Sequence, residues 1–234
     1  MDKFIYVINA SSRSDTGITE DLSQSLSWIQ GDNLPKVKCV TLSDGPNGIS
    51  TARDSDDAAP AVLRFIERQA KCEKTVGFVV ACFSDPGVFS ARELTHKPVI
   101  GIGEAGFLAA LSLGDAIGTI GVAAGKGAKS MRLARHIGMV SRVAGHCGLG
   151  LDYAQLQDPS LVTSRMIDAG KLLRDEKGAS VLLFAGAGLA RYVEPLEQAV
   201  GLPVIDPTQA ATGIVLAHVM QQNYLASAQI NNKV

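Results

Sequence analysis

Two turns in this sequence carry residues that can do chemistry. The first follows the apolar run Val76-Gly-Phe-Val-Val-Ala81 and reads Cys82-Phe83-Ser84-Asp85-Pro86-Gly87. The second follows Val181-Leu-Leu-Phe184 and reads Ala185-Gly186-Ala187-Gly188-Leu189. Each leads through a helix-length segment to Pro-Val-Ile, at Pro98-Val99-Ile100 and at Pro203-Val204-Ile205. The copies hold register to within a residue, so Cys82 aligns with Gly186. A thiol where a strand turns toward a helix start lies among free amides. Those amides and the helix dipole favour the thiolate, and they also hold a carboxylate or a developing enolate oxygen. Cysteine also serves as a small buried hydrophobe. The place of Cys82 at a strand's carboxyl end favours the functional reading, and Cys39 and Cys72 lack that place and read as structural.

The other motifs carry less. Gly101-Ile-Gly103-Glu-Ala-Gly106 has the glycine spacing of a dinucleotide loop between a strand and a helix. No acidic residue lies about 20 positions on, and Asp115 is too near. It reads as small residues that let a helix start close to a strand end, and no cofactor is expected. From Gly121 to Ser130 a phosphate loop is suggested, but Lys126 stands where the second glycine is needed. That stretch reads as a flexible loop able to touch an anion. His96, His136, His146 and His218 lack ligand spacing, so no metal is expected. His146 and Cys147 are neighbours in sequence, which does not make them a reactive pair in space.

These residues need a scaffold, and composition permits one. The 234 residues are 46% hydrophobic and 19% charged, an ordinary globular balance with ample core. A net charge of -1 gives no broad reason to expect nucleic acid or an anionic membrane as partner. Lys126, Lys129, Arg132 and Arg135 read as a solvated helix face. No apolar stretch has the length of a membrane span, and residues 3–9 enter a strand-like run with no signal-peptide pattern. The four cysteines form no CxxC pair. Reduced thiols and a cytoplasmic location are expected.

Patterning predicts strands at 4–8, 38–42, 76–81, 99–102, 116–122, 148–151, 181–184 and 203–205. Helices are predicted at 19–30, 57–71, 88–94, 106–113, 128–137, 159–176, 192–200 and 208–222. Val62, Leu63, Ile66 and Ala70 show the helical period, with Asp56 or Asp57 as cap. Strands alternating with helices imply parallel sheets that bind ligands at the carboxyl ends of their strands. Residues 4–12 also resemble 116–124, a second sign of duplication. The expected fold is α/β, with two pseudo-symmetric lobes, each a parallel sheet flanked by helices, and a site in the cleft between them. The first lobe would comprise 1–105 plus 208–234, the second 106–207, with the last helix packing back on the first.

Six segments in order carry a resemblance. They are Ile8-Asn9-Ala10-Ser11-Ser12, Ala81-Cys82-Phe83-Ser84-Asp85-Pro86-Gly87, Ala91-Arg92-Glu93, Pro98-Val99-Ile100-Gly101-Ile102-Gly103-Glu104-Ala105, Ala187-Gly188-Leu189-Ala190 and Gly201-Leu202-Pro203-Val204-Ile205-Asp206. Through them the chain resembles the Asp/Glu racemase superfamily, nearest its hydantoin and allantoin racemase branch. The resemblance implies a cofactor-free, PLP-independent enzyme and a homo-oligomer. One thiol takes a proton from a carbon α to a carbonyl, and a facing thiol returns one to the opposite side. Backbone amides hold the enediolate. Cys82 matches the first family cysteine. Asn9 and Ser11 fall where ligand contacts are expected, Ser11 replacing an asparagine. Phe83, Ser84, Ala187 and Gly188 belong to the substrate-holding turns. The second cysteine, in a Gly-Cys-Ala-Gly-Met turn, is here Gly186. The resemblance thus implies an isomerase acting on a hydantoin-like ring or small amino or carboxylic acid. Its second acid would be missing, or supplied by Cys147 or a bound water. The alternatives are a single-cysteine decarboxylase of malonate-type acids with the thiol on the mirror side, a binding protein on this fold, or an engineered chain lacking its second thiol. Phe83, Phe107 and Tyr192 are candidates for sorting substrates, or equally for core.

Overall fold

A computed structural model of the protein describes residues 3–14, 16–124, 127–152 and 154–231. The first half runs β1 (Phe4–Asn9), α1 (Ile18–Ser25), β2 (Lys36–Thr41), α2 (Ala52–Ala70), β3 (Thr75–Val80), α3 (Val88–Leu94), β4 (Val99–Gly101) and α4 (Ile102–Leu111). The second runs β5 (Ile117–Gly121), α5 (Ala128–His136), β6 (Val143–Gly148), α6 (Pro159–Lys177), β7 (Val181–Phe184), α7 (Val193–Val200), β8 (Val204–Ile205) and α8 (Pro207–Asn231). They build two four-stranded sheets, ordered β2-β1-β3-β4 and β6-β5-β7-β8, with every pairing parallel. Helices cover both faces, which is why β7 and, after Thr75, β3 are runs of non-polar residues rather than alternating.

The duplication extends to single hydrogen bonds. Ala81 N donates to Ile8 O at 2.8 Å, and Ala185 N to Ile120 O at 2.7 Å. Leu42 N donates to Asn9 O, and Leu149 N to Gly121 O. The Cys82 and Gly186 turns therefore leave their sheets at equivalent points.

The lobes are interlocked by exchange. Following β4, α4 sends Phe107 and Ala110 into a core with Ile117, Val181 and Leu183 of the second sheet. Following β8, α8 sends Ala211, Val215 and Val219 into a core with Ile5, Val7 and Val79 of the first. The turns repeat the exchange: Phe83 joins the second-sheet core, and Ala187 packs against the first-sheet core.

Helix α2 and strand β6 differ from expectation. Helix α2 begins at Ala52, not at residue 57, because Thr51 and Asp54 form a capping box. Pro60 is accommodated inside the helix with its side exposed. Strand β6 covers Val143–Gly148 rather than 148–151. Val-Ala-Gly-His-Cys-Gly has little strand character of its own, and pairing with β5 decides the outcome. Among the described residues no helix is long and apolar enough to cross a membrane.

Phe83 is 2% exposed and packs on Phe107 with ring centroids 5.9 Å apart. Phe83→Ala should cost about 3–5 kcal/mol in urea unfolding. A loss below about 1 kcal/mol would mean that this side chain does not lock the lobes.

Candidate active site

Cys82 lies just beyond β3 and is half-buried. Its sulfur is 3.3 Å from Ser84 Oγ, and Ser84 Oγ accepts from Ser55 Oγ of α2 at 2.9 Å. The expected helix start is not the sulfur's neighbour: α3 opens at Val88 behind Gly87, a full turn farther along. The amide of Asp85 closes the turn by donating to Cys82 O at 2.9 Å.

Asp85 organises this turn. It is 5% exposed and has a φ of 51°, a left-handed conformation rarely adopted outside glycine. Its carboxylate accepts from Gly103 N at 2.8 Å and Glu104 N at 2.7 Å, capping α4. That cap starts the helix at Ile102 instead of residue 106. It also explains the glycine spacing that mimics a dinucleotide loop. A Cβ on Gly101 would sit 2.2 Å from Asp85 Cγ, and one on Gly103 2.4 Å from Phe83 O. The anion cradle at this helix start is filled by the protein's own carboxylate. In the second lobe Asp206 does the same for α8 from the position equivalent to Gly101, accepting from Thr208 N and Gln209 N at 2.9 Å. Burial pushes Asp85 up to about 7 and Asp206 up to about 6, against the amides that pull both down.

Asn9, 6% exposed, ends β1 beside the Cys82 turn. Its Nδ2 donates to Thr41 Oγ1 at 3.0 Å, and its Oδ1 accepts from Ser11 N and Ser11 Oγ at 3.2 and 3.0 Å. Thr41 Oγ1 also meets Thr19 Oγ1 of α1 at 2.7 Å. Asn9 thus holds the loop that presents Ser11, with one amide hydrogen left for a ligand.

The second turn rests on the first lobe. A Cβ on Gly188, whose φ is 76°, would lie 2.6 Å from Ile18 Cδ1 of α1. Arg191 pairs with Asp21 of the same helix. Gly186 is unlike Gly188. It has no left-handed φ, and a Cβ there would meet Leu189 Cδ1 at 3.7 Å as its nearest neighbour. Neither backbone nor packing demands glycine at 186.

Several expectations are corrected. The ring of Phe83 is core, which leaves only its backbone for a ligand contact. Phe107 and Tyr192, 0% and 6% exposed, are core as well. Cys147 packs against the α6–α7 core, and burial pushes its thiol up. His146 does not pair with it. Adjacent strand residues face opposite ways, and His146 Nδ1 lies 2.8 Å from Thr119 Oγ1. Gly125 and Lys126, the centre of the supposed phosphate loop, lie outside the described residues. Lys129 Nζ bonds Ile49 O at 2.8 Å rather than lying free on a solvated face. Among the described residues, no three His, Cys, Asp or Glu side chains gather as a metal site requires. Sequence reasoning missed Ser55, Thr19 and Thr41 and gave Asp85 no role. Only Ser55 left a trace, as a hydroxyl at helical spacing before Ala58 and Val62.

Asp85→Asn turns an amide NH2 toward one of two backbone donors and should cost about 1–3 kcal/mol. The folded value of about 7 lies above the ordinary 3.8, so the folded chain binds this proton more tightly than the unfolded one. The contribution of Asp85 therefore declines as pH rises from 3.8 towards 7, and the variant should lack that part of the slope. Melting curves with identical slopes for both proteins would contradict the assignment.

Residues 5–215 match the model of the Asp/Glu/Hydantoin racemase family. A hydantoin racemase of Paenarthrobacter aurescens is 27% identical over 209 residues, covering 88% of this chain and 87% of that one. The fold matches allantoin racemase from Klebsiella pneumoniae with a TM-score of 0.85 at 24% identity, over 94% of this chain and 89% of that one. It also matches a liganded arylmalonate decarboxylase carrying one glycine-to-cysteine and one cysteine-to-serine change, with a TM-score of 0.66 at 16% identity, over 93% and 92%. With two duplicated parallel sheets and a thiol at the carboxyl edge of the first, the chain belongs to the Asp/Glu/Hydantoin racemase family of isomerases.

Proposed function

We propose that this protein moves a proton at the α-carbon of a hydantoin-like ring or a small amino or carboxylic acid, without PLP or metal, using Cys82 on one face only. The observation that carries this is the inequality of the two turns. One carries a thiol beside Ser84, while the other has, at the equivalent position, a glycine with no side chain to exchange a proton. Cys82 as thiolate takes the proton, giving thiol and enediolate. Asn9, through its remaining amide hydrogen, and the amides of Phe83, Ala187 and Gly188 hold the charged oxygens. The proton then returns from the same side. We assign the lobes as 1–105 with 208–234, and 106–207, so that the site lies between them. A homo-oligomer and a cytoplasmic location belong to the same reading.

A second reading has support in the fold shared with arylmalonate decarboxylase. Loss of CO₂ from a malonate-type acid leaves the same enediolate, and a single thiol then delivers the one proton required.

In D₂O, single enantiomers of hydantoins, allantoin, aspartate or glutamate should acquire deuterium with retention of configuration. Cys82→Ala should abolish that exchange. Gly186→Cys should raise racemisation by about 100-fold or more, the usual worth of a placed acid or base. Ready inversion by the unaltered protein would defeat the one-face mechanism. CO₂ release from a disubstituted malonate would select the lyase.

A further inference from the structure

The stripe of α2 that packs on the first sheet runs through Ala58, Val62, Phe65 and Ile66. Helical spacing carries that stripe back to Ser55, placing a hydroxyl over the carboxyl end of β3. The first turn of α2 is held by its cap. Thr51 Oγ1 accepts from Asp54 N at 3.1 Å, and Asp54 accepts from Ser50 N and Thr51 N at 2.9 and 2.8 Å. Ser55 thus sits in a helical turn fixed by its cap.

The direction of the hydrogen bonds matters more than their number. Ser55 Oγ donates to Ser84 Oγ. A hydroxyl that accepts there retains its own hydrogen for another partner, and Cys82 Sγ is 3.3 Å away. The order Ser55 to Ser84 to Cys82 leaves a hydroxyl hydrogen for the sulfur to accept, which suits a thiolate. The charged neighbours are committed elsewhere: Asp85 to α4, Asp54 to its cap, and Lys129 to Ile49 O.

We propose that Ser55 is a positioning residue that acts through Ser84 to aim a hydroxyl hydrogen at Cys82 and keep that sulfur in its base form. Proton abstraction then breaks the Cα–H bond and forms S–H, the electron pair passes to the enediolate, and both serines keep their protons. The proposal rests on Cys82 being the base.

The test compares the full-length protein with Ser55→Ala and Ser55→Thr. Iodoacetamide labelling of Cys82 across pH, read by peptide mass spectrometry, follows the thiolate without turnover. Ser55→Ala should move the labelling midpoint to higher pH. It should also lower kcat for deuterium exchange by about tenfold with KM little changed. Ser55→Thr keeps the hydroxyl and should restore both. An unmoved labelling midpoint in Ser55→Ala overturns the proposal, whatever happens to exchange. A moved midpoint with exchange surviving in Cys82→Ala would leave the Ser55 link standing and remove the role of Cys82 as base.

Discussion

The carboxylate of Asp85 on the first amides of α4 is the contact on which the rest of the site depends. It fixes three things together. The turn after Cys82 must close tightly enough to send Asp85 inward, which places Ser84 against the sulfur and Phe83 in the other lobe's core. Helix α4 must begin at Ile102, immediately after β4, so that its length reaches the second sheet. The positions facing the carboxylate must be glycine, since a Cβ at Gly101 would occupy its place. One buried, doubly bonded carboxylate thus joins the chemistry of one lobe to the packing of the other.

The second lobe solves the same problem with the parts rearranged. The helix after its last strand is also capped by a carboxylate on its second and third amides, but that carboxylate is the cap residue Asp206. The turn position equivalent to Asp85 is then released and holds Leu189, which joins the local core. A glycine cap with an acidic turn, and an acidic cap with an apolar turn, are interchangeable ways to satisfy the same orphan amides. Duplication preserved this requirement while the side chains diverged. Gly186 is a divergence of a different kind. The structure demands glycine at Gly188, where α1 presses on the turn, and makes no such demand at Gly186.

Much of the fold was legible because its signals are local. The β3 and β7 runs, the Pro-Val-Ile repeats and the alternation of strand with helix each arise from short-range patterning, and they are enough for paired parallel sheets. What escaped depends on contacts distant in sequence. The α4 start looked later because its cap comes from Asp85, 18 residues away along the chain. Strand β6 exists because β5 lies beside it. Phe83 read as a ligand contact since its turn is one, while its ring had a destination in the other lobe that no periodicity announces. The polar links around Asn9 join residues up to 32 positions apart, and types alone could not pair them.

The interlock also bears on how such a site tolerates change at Gly186. Each turn is anchored by the residue after its chemical position, Phe83 in one core and Ala187 against the other, and by a helix of the opposite lobe. The chemical positions themselves lie at the margins of the packing. Cys82 is half-buried at the margin of the first-sheet core with Ser84 beside its sulfur, and a Cβ at Gly186 would make only an ordinary contact with Leu189. Stability therefore depends on the neighbours of the reacting groups rather than on the groups. A thiol can be present on one face and absent on the other without altering the cores that bring the two turns together. Reaction type is free to vary on a scaffold whose geometry is not.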